Sequence, residues 1–245
     1  MKNTAIIIPS RLDAKRFPNK PLAKINNTPM IIHVLNRAKE AKVGDVFVAT
    51  PDDEIFQLVN KNGGKAILTN TSHPSGSDRV FEAYNKELKS KVDLIVNLQG
   101  DMPNIKPSSI SKLVNQMQES KCDIGTLASD ITNGKDIFDP NIVKVNVDQV
   151  LKKDNFLAAK DFFRIKKELN NNKIYHHLGC YIFTREALSK YVKLPRSNLE
   201  IERNLEQMRA LENNMLINVG LSDSNPLSVD TKEDLMKVTK TMSAL

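Results

Sequence analysis

Apolar and polar positions alternate with two different periods along the first part of the chain. Short apolar runs predict strands, and longer segments in which apolar residues recur every three or four positions predict helices. Strands are predicted at residues 4–9, 45–50, 65–69 and 93–98, separated by helices at 29–42, 52–62 and 77–89. Strands that alternate with helices indicate an α/β fold with a doubly wound, mainly parallel sheet.

The pattern is less regular after the fourth predicted strand. A helix is predicted at 107–118, strand-like segments at 124–129, 141–147 and 178–183, and a surface excursion over the Lys- and Asn-rich stretch 160–173. Helices at 185–192 and 199–213, a strand at 215–220 and a helix from Thr231 complete the prediction. No linker-like composition divides the chain, so we expect one domain over residues 1–245.

Composition bears on the cellular compartment in which the protein works. Hydrophobic residues make up 40% of the chain, enough for a full core, but the longest apolar runs are far too short to cross a bilayer. No secretory leader is recognised at the start, so we expect a cytoplasmic protein without a membrane partner. Cys122 and Cys180 stand alone in the sequence, which predicts buried thiols rather than a disulfide framework or a zinc site.

The formal net charge of +7 leaves several partners open: nucleic acid, a small anion, or none if the charge only reflects a Lys-rich proteome. Proteins that bind single-stranded nucleic acid usually stack bases on aromatic side chains. Aromatic residues are only 5% of this chain and Trp is absent. The composition therefore favours a small anionic ligand over nucleic acid.

A basic loop follows the first predicted strand. It carries four cations within ten positions of one another: Arg11, Lys15, Arg16 and Lys20. Three prolines limit the loop's freedom and so lower the entropy lost on binding. A solvated basic loop is the alternative interpretation. The loop's position favours a phosphate site, because α/β sheets bind ligands beyond the carboxyl ends of their strands.

Two carboxylates are candidate metal ligands. Asp101 follows the fourth predicted strand in Gln99-Gly100-Asp101, and Asp230 precedes the last predicted helix. Magnesium takes one or two protein carboxylates and completes its coordination with phosphate oxygens and water. An N-cap for the last helix is the alternative role for Asp230, with about even odds on these residues alone.

The segment from His73 to Arg79 opens a predicted helix with short polar residues and a glycine. Backbone amides and hydroxyls at such a position suit a base edge or a phosphate. The signal is weak by itself, because many helices begin in this way.

Together these segments resemble the cytidylyltransferases that activate 3-deoxy-manno-octulosonate (Kdo), the CMP-Kdo synthetase family. The opening Pro9-Ser10-Arg11, continued by Arg16, Pro18, Lys20, Pro21 and Leu22, is similar to the family's first motif. Further similar segments follow in the family's order along nearly the whole chain: His73 through Arg79, Leu98-Gln99-Gly100-Asp101, Asp139 through Val145, His177-Leu178-Gly179-Cys180-Tyr181, Leu205-Glu206-Gln207-Met208-Arg209 and Val229 through Leu235.

The resemblance implies a Rossmann-like nucleotidyltransferase fold with a small sugar-binding and dimerisation sub-region at about 135–220. It implies CMP transfer from CTP to Kdo for lipopolysaccharide synthesis, with Mg²⁺ as cofactor, in a homodimer. Arg11, Arg16 and Lys20 would hold the CTP phosphates. Asp101 and Asp230 would bind the metal. The nucleoside would contact Ser75, Gly76, Arg79 and Gln99, and the sugar acid would contact His177, Tyr181, Glu206 and Gln207.

The residues assigned to the sugar site also have structural interpretations. His177 could be a hydrogen-bonded core histidine, with His176 turned to solvent because side chains alternate along a strand. Glu206 and Gln207 could lie on a solvated helix face.

The sequence departs from the family at several positions. Asn19, Met102 and Arg203 replace the family's glycine, glutamate and acidic residue. The family's Tyr-Phe-Ser-Arg segment is matched to 155–162, which puts Ala158 and Ala159 near its Ser-Arg.

That match predicts a sugar pocket without the family's cation and with negative charge from Asp161, Glu200 and Glu202. An amino-substituted acid such as 8-amino-Kdo is therefore an alternative substrate. Cytidylyltransferases for sialic or pseudaminic-type acids share the opening motif, but differ at the His177 and Glu206 segments. A sugar-1-phosphate nucleotidyltransferase would need a glycine-rich turn after the first strand, which Pro9-Ser10-Arg11 is not.

Overall fold

The computed structural model describes residues 2–14, 16–165 and 173–243. Lys15 of the basic loop and residues 166–172 of the predicted surface excursion lie outside the described residues. The strands are β1 (Thr4–Pro9), β2 (Lys24–Ile25), β3 (Thr28–Pro29), β4 (Asp45–Thr50), β5 (Lys65–Leu68), β6 (Leu94–Leu98), β7 (Ile124–Ser129), β8 (Lys144–Val147), β9 (Phe156–Phe163), β10 (Lys173–Thr184) and β11 (Ile217–Leu221).

The helices pack around these strands. They are α1 (Met30–Glu40), α2 (Asp53–Lys61), α3 (Gly76–Ala83), α4 (Pro107–Glu119), α5 (Arg185–Tyr191), α6 (Asn198–Arg203), α7 (Gln207–Glu212) and α8 (Lys232–Ser243). A π-helical turn, Tyr84–Leu88, continues α3, and short 3₁₀ segments lie at Lys20–Leu22 and Gly134–Phe138.

The central sheet is parallel in its first half and mixed as a whole. Its strand order is β5-β4-β1-β6-β10-β7-β11-β9-β8, and β5, β4, β1 and β6 run parallel to one another. The α/β prediction is confirmed, and the sheet is mixed because β10 runs antiparallel to both β6 and β7. β8 and β9 are also antiparallel neighbours, and residues 148–155 between them do not form the helical crossover that parallel neighbours need.

The second half of the sheet closes on itself. β10 pairs with β8 as well as with β7, and β8 and β11 both pair with β9. Since β7 also pairs with β11, the strands β7, β11, β9, β8 and β10 form a ring without a free edge. The sequence predicted a surface excursion from residue 160, but the stretch to Phe163 belongs to β9.

Burial follows the strand patterns. In β1, Ala5 to Ile8 are fully buried, as expected for a strand covered by helices on both faces. One apolar cluster fills the side of the sheet next to α1, α2 and α4, and another continues from α3 and α5 into the ring of strands.

One predicted helix is divided in two. The segment 199–213 forms α6 and α7, and Asn204 between them has a φ of 52°. Asn tolerates this left-handed conformation better than most residues and commonly ends a helix there. The break turns Asn204 and the following residues toward a cavity.

Candidate active site

The ends of β1 and β6 bring the predicted phosphate loop and the predicted metal ligands together. These strands are neighbours in the sheet, so Pro9 and Leu98 end at the same edge. Asp101 follows β6, and its carbonyl accepts a hydrogen bond from the Val229 amide at 2.9 Å. Asp230 is thereby held next to Asp101, although the two are far apart in sequence.

Basic side chains from the loop contact both carboxylates. Lys20 Nζ lies 3.2 Å from Asp101 Oδ2 and 3.3 Å from Asp230 Oδ1. Arg16 Nη2 lies 3.0 Å from Asp230 Oδ2. We call this group, formed by Arg16, Lys20, Asp101 and Asp230, the carboxylate end. Arg11, also predicted to hold phosphate, is exposed after β1.

The capping interpretation of Asp230 is wrong. The residue that caps α8 is Thr231, whose Oγ1 accepts from the Asp234 amide at 3.2 Å. Asp234 Oδ2 in turn accepts from the Thr231 amide at 3.0 Å, which completes a reciprocal capping arrangement. The side chain of Asp230 is left to contact cations.

The two carboxylates fit a divalent cation. The ammonium of Lys20 stands within hydrogen-bond distance of both, so one positive charge can be shared between them. Among residues 2–14, 16–165 and 173–243, no group of three or more Asp, Glu, His or Cys side chains could hold a metal by itself. A two-carboxylate site suits a magnesium ion that takes its remaining ligands from phosphate and water.

The predicted nucleoside residues surround the start of α3. Ser75 is the N-cap, because its Oγ accepts from the Asp78 amide at 3.3 Å. Gly76 faces Pro9 and Gln99, and an added Cβ would lie 3.5 Å from Pro9 Cγ. Arg79 is buried and donates to Thr69 Oγ1 at 2.5 Å and to the Asn70 carbonyl at 2.9 Å.

These placements leave the nucleoside roles of Ser75, Gly76 and Arg79 as predictions. Gln99 lines the cavity described next, whereas the other three do not.

A cavity of about 410 Å³ extends from the carboxylate end into the ring of strands. It brings together most of the predicted site: Arg16, Gln99, Asp101, His177, Tyr181, Glu206, Gln207 and Asp230. Its inner part, which we call the enclosed end, is formed by His177, Tyr181, Glu206 and Gln207. Gly179 lies at a bulge of β10, where an added Cβ would lie 2.9 Å from Gln99 Cγ. The glycine therefore leaves room for the Gln99 side chain at the cavity wall.

His177 is buried and uncharged. Burial lowers its pKa to about 3, and Thr126 Oγ1 lies 3.0 Å from its Nε2. The Thr126 hydroxyl also lies 2.9 Å from the Cys180 carbonyl, to which it donates, so its oxygen is free to accept from His177 Nε2–H. His176 also lines the cavity and contacts Asn225, so it is not simply turned to solvent.

The surroundings of Tyr181 and Glu206 raise the pKa of both groups. Loss of solvation is the main cause for each; nearby acidic groups raise both pKa values further, and Arg209 opposes the rise at Glu206. Ser77 Oγ lies 3.4 Å from Glu206 Oε2, and Tyr191 donates to the Glu206 carbonyl at 2.9 Å. The enclosed end therefore combines a phenol and a carboxyl group of raised pKa with a neutral imidazole.

Sequence reasoning missed several cavity residues, above all Arg164, with Ser77, Asn141 and Asn204. The cation thought to be missing near Ala158 and Ala159 is present, because Arg164 at the end of β9 lines the cavity. The family's Tyr-Phe-Ser-Arg segment falls instead on residues 161–164. Phe162 and Arg164 are the matching residues that could have revealed this.

Two of the three acidic residues that were predicted to make the sugar pocket negative form ion pairs. Arg203 Nη1 lies 2.5 Å from Asp161 Oδ1, and Arg209 Nη2 lies 2.7 Å from Glu200 Oε1. Glu202 is exposed on α6. These acids give the cavity little net negative charge.

Within the described ranges, no helix is both long and apolar enough to cross a bilayer.

The comparisons with known proteins agree with this architecture. The sequence profile of the cytidylyltransferase family matches residues 5–217. The 3-deoxy-manno-octulosonate cytidylyltransferase of Afipia carboxidovorans is 44% identical over 234 residues, covering 95% of this chain and 94% of its own. The enzyme of the same name from Paramagnetospirillum magneticum is 42% identical over 240 residues, covering 98% and 97%.

A solved structure is similar over the same length. The CMP:2-keto-3-deoxy-manno-octonic acid synthetase complexed with CTP has a TM-score of 0.87 and 34% identity, with 98% of each chain covered. The fold is that of a nucleotidyltransferase. This chain belongs to the cytidylyltransferase family.

Proposed function

We propose that this protein transfers CMP from CTP to the anomeric hydroxyl of Kdo and releases pyrophosphate, a step that supplies lipopolysaccharide synthesis. The observation that carries the proposal is the cavity itself, which joins a cation-rich carboxylate end to an enclosed end of hydrogen-bonding groups. The names of the relatives support the same substrates.

At the carboxylate end, Arg16 and Lys20 would bind the phosphates of CTP, with Arg11 close by. Guanidinium groups match phosphate oxygens with two parallel hydrogen bonds, and an ammonium adds a point charge. Because the leaving pyrophosphate gains negative charge, these cations would stabilise the transition state more than the bound substrate.

Asp101 and Asp230 would hold a Mg²⁺, which supplies positive charge at the phosphates and lowers the pKa of a bound hydroxyl. Lys20 would then exchange its carboxylate partners for phosphate. Its flexible side chain needs only rotamer changes for such a move.

At the enclosed end, His177, Tyr181, Glu206 and Gln207 would bind the sugar hydroxyls. A neutral imidazole and a phenol can each donate a hydrogen bond without placing a net charge beside the sugar, and carboxyl and amide oxygens can accept one. Arg164 would offer a positive charge to the sugar's carboxylate.

In the reaction, the anomeric oxygen forms a bond to the α-phosphorus, the bond between that phosphorus and the bridging oxygen breaks, and the hydroxyl proton is released. No protein nucleophile is needed. Positioning of two bound substrates and charge stabilisation account for most of such an acceleration.

The case for 8-amino-Kdo is weakened. It assumed a missing cation and free carboxylates near the sugar, whereas Arg164 lines the cavity and Asp161 and Glu200 are paired. We therefore expect a higher kcat/KM for Kdo than for its 8-amino analogue.

We further infer a homodimeric enzyme of a single domain, with residues 135–220 as its sugar-binding sub-region, working in the cytoplasm. Cys122 and Cys180 are unpaired thiols, which is common in a reducing compartment.

The proposal is tested by incubating the protein with CTP, Mg²⁺ and Kdo and measuring pyrophosphate and CMP-Kdo. We expect both products in equal amounts, and neither when Kdo or Mg²⁺ is left out. Reactions with 8-amino-Kdo and a sialic acid run in parallel. Product formation from the sialic acid alone would overturn the proposed substrate, and binding of CTP without turnover of any sugar acid would overturn the activity.

A further inference from the structure

Lys144 in β8 is a fully buried lysine whose ammonium is enclosed by backbone. Its side chain is 0% exposed. Nζ lies 2.6 Å from the Asp139 carbonyl oxygen, 3.0 Å from that of Ile142 and 2.6 Å from that of Arg164. An ammonium has three N–H donors, so each donor has one acceptor. Burial of a charge is costly unless it is satisfied in this way.

The three carbonyl groups belong to two separate segments. Asp139 and Ile142 lie in the turn before β8, and Arg164 directly follows β9. Both segments contribute to the cavity wall, through Asn141 from the turn and through Arg164. The ammonium therefore fastens two parts of the cavity wall to each other.

Arg164 strengthens the same junction from the other side. Its Nη1 donates to the carbonyl groups of Pro140 and Asn141, at 3.1 Å each. The backbone of Arg164 is thus held by Lys144, and its side chain is held by the turn that Lys144 also holds. The orientation of the guanidinium depends on both contacts.

Direct contact between Lys144 and a substrate does not fit this geometry. All three donors are used, and the side chain does not line the cavity. Burial also lowers the pKa of Lys144, which agrees with a site where the charge is held only by satisfied hydrogen bonds. Loss of the ammonium would remove a donor from three carbonyl oxygens, of which that of Asp139 would keep only the 3.3 Å bond from the Ile142 amide, and the two segments would separate.

We propose that Lys144 is a positioning residue for the sugar-acid end of the site, acting through Arg164 and Asn141. The inference rests on the proposed function. Because the carbonyl groups form a cage for one hydrogen-bonding cation, a small free ammonium ion should partly replace the side chain once space is made.

The main experiment compares Lys144→Ala with the unchanged protein. We expect KM for Kdo to rise on the order of 10- to 100-fold, because a displacement of about 1 Å is enough to disrupt a positioned site. KM for CTP should change less than about twofold, since its predicted contacts lie at the carboxylate end. Lys160→Ala is the matched control, because Lys160 is a surface lysine of β9 that pairs with Asp148 at 2.8 Å.

Chemical rescue separates positioning from simple loss of stability. n-Propylammonium has the atoms that Lys144→Ala removes, and ammonium is a smaller probe of the same cage. Either ion should lower KM for Kdo in a saturable manner. Tetramethylammonium at equal ionic strength has no N–H donor and should not. Lys144→Met fills the space without a charge, so it should share the high KM and not respond to any of these ions.

A double-variant cycle tests the route through Arg164. We expect Arg164→Ala to raise KM for Kdo, and Lys144→Ala to add little to that loss when Arg164 is already absent, because coupled residues are not additive. Additive losses would overturn the route.

The remaining outcomes are also decisive. An unchanged KM for Kdo in Lys144→Ala, or equal increases in KM for both substrates, would overturn the proposal. Failure of both Lys144→Ala and Lys144→Met to fold would assign Lys144 to the fold instead, and would overturn it too. If the unchanged protein binds CTP but does not use Kdo, the proposed function fails, which is a separate result from any of these.

Discussion

Arg16 and Asp230 at the carboxylate end stay close to solvent, whereas His177 at the enclosed end is buried. The side chain of Arg16 is 66% exposed and that of Asp230 is 39% exposed, yet the two are paired. His177, by contrast, is 7% exposed, and burial lowers its pKa to about 3. The first arrangement can rearrange around an incoming polyanion, and the second presents a fixed, uncharged imidazole to a ligand that must be oriented.

This difference has a physical basis. Exposed ion pairs contribute little to stability, so exchanging one partner for another costs little. Buried polar groups are costly to leave unsatisfied, so their arrangement is fixed before the ligand arrives. Substitutions at the carboxylate end should therefore change catalysis and ion binding, and substitutions at the enclosed end should also change how stability depends on pH.

The largest effect is expected from Asp101→Asn and Asp230→Asn. Each change removes one of two converging carboxylates, so turnover should fall on the order of 10²- to 10³-fold with little change in melting temperature. Pyrophosphate release over a range of Mg²⁺ concentrations measures the loss. Asp45→Asn is the control, because Asp45 is an exposed carboxylate paired with Lys65 at 2.8 Å. Loss of thermal stability without loss of turnover would contradict the metal role.

A second effect concerns pH at the enclosed end. Because the pKa of His177 falls from 6.5 to about 3 on folding, the unfolded chain binds a proton between these values and the folded one does not. This group should therefore lower the free energy of unfolding by about 2 kcal/mol between pH 8 and pH 5. His177→Gln should lose that part of the pH dependence in urea unfolding, whatever its stability at pH 8. Parallel pH profiles for the two proteins would show that His177 does not cause it.

At the carboxylate end, Arg16→Ala should raise KM for CTP about tenfold, because a charge-assisted contact to phosphate is lost. KM for Kdo should change less. Lys24→Ala, which removes an exposed lysine of β2, provides the comparison at matched ionic strength. Equal losses in the two variants would indicate a diffuse basic surface in place of a shaped phosphate site.

The smallest effect separates Lys20 from the metal ligands. Without CTP, the ammonium of Lys20 occupies the space between Asp101 and Asp230, so it competes with a divalent ion. Lys20→Met should therefore bind Mn²⁺ about threefold to fivefold more tightly in the absence of nucleotide, a gain typical of exposed charge pairs. Electron paramagnetic resonance of free Mn²⁺ measures this. Weaker binding in Lys20→Met than in Lys24→Met would contradict competition.

The sequence predicted the parallel half of the fold well, because its strands and helices follow one another with clear periods. The bounds of β1, β4 and β7 agree with the prediction. The ring of strands could not be predicted in this way, because it depends on pairings such as β10 with β8 and β11 with β9, which local periodicity does not encode. β9 was not predicted, because polar residues interrupt its apolar pattern and a Lys-rich stretch follows it.

The candidate site was likewise predicted only in part. Asp101 and Asp230 could be predicted as metal ligands because they lie in recognisable segments, and only tertiary contacts could exclude a helix cap at Asp230. Arg164 and Asn204 were missed. The position of Arg164 depends on where β9 ends. Asn204 is itself the left-handed residue that interrupts an otherwise regular helical pattern.

The closed ring of strands also limits how a second copy of the chain could attach. Among the strands of the described residues, only β5 leaves one side of the main sheet unpaired, and it is four residues long. A homodimer built on residues 135–220 would gain little by adding a strand to the ring, because each strand of the ring already pairs with two others of it. Its two copies would recognise each other mainly by side chains, so single surface substitutions could dissociate the pair while each copy keeps its fold.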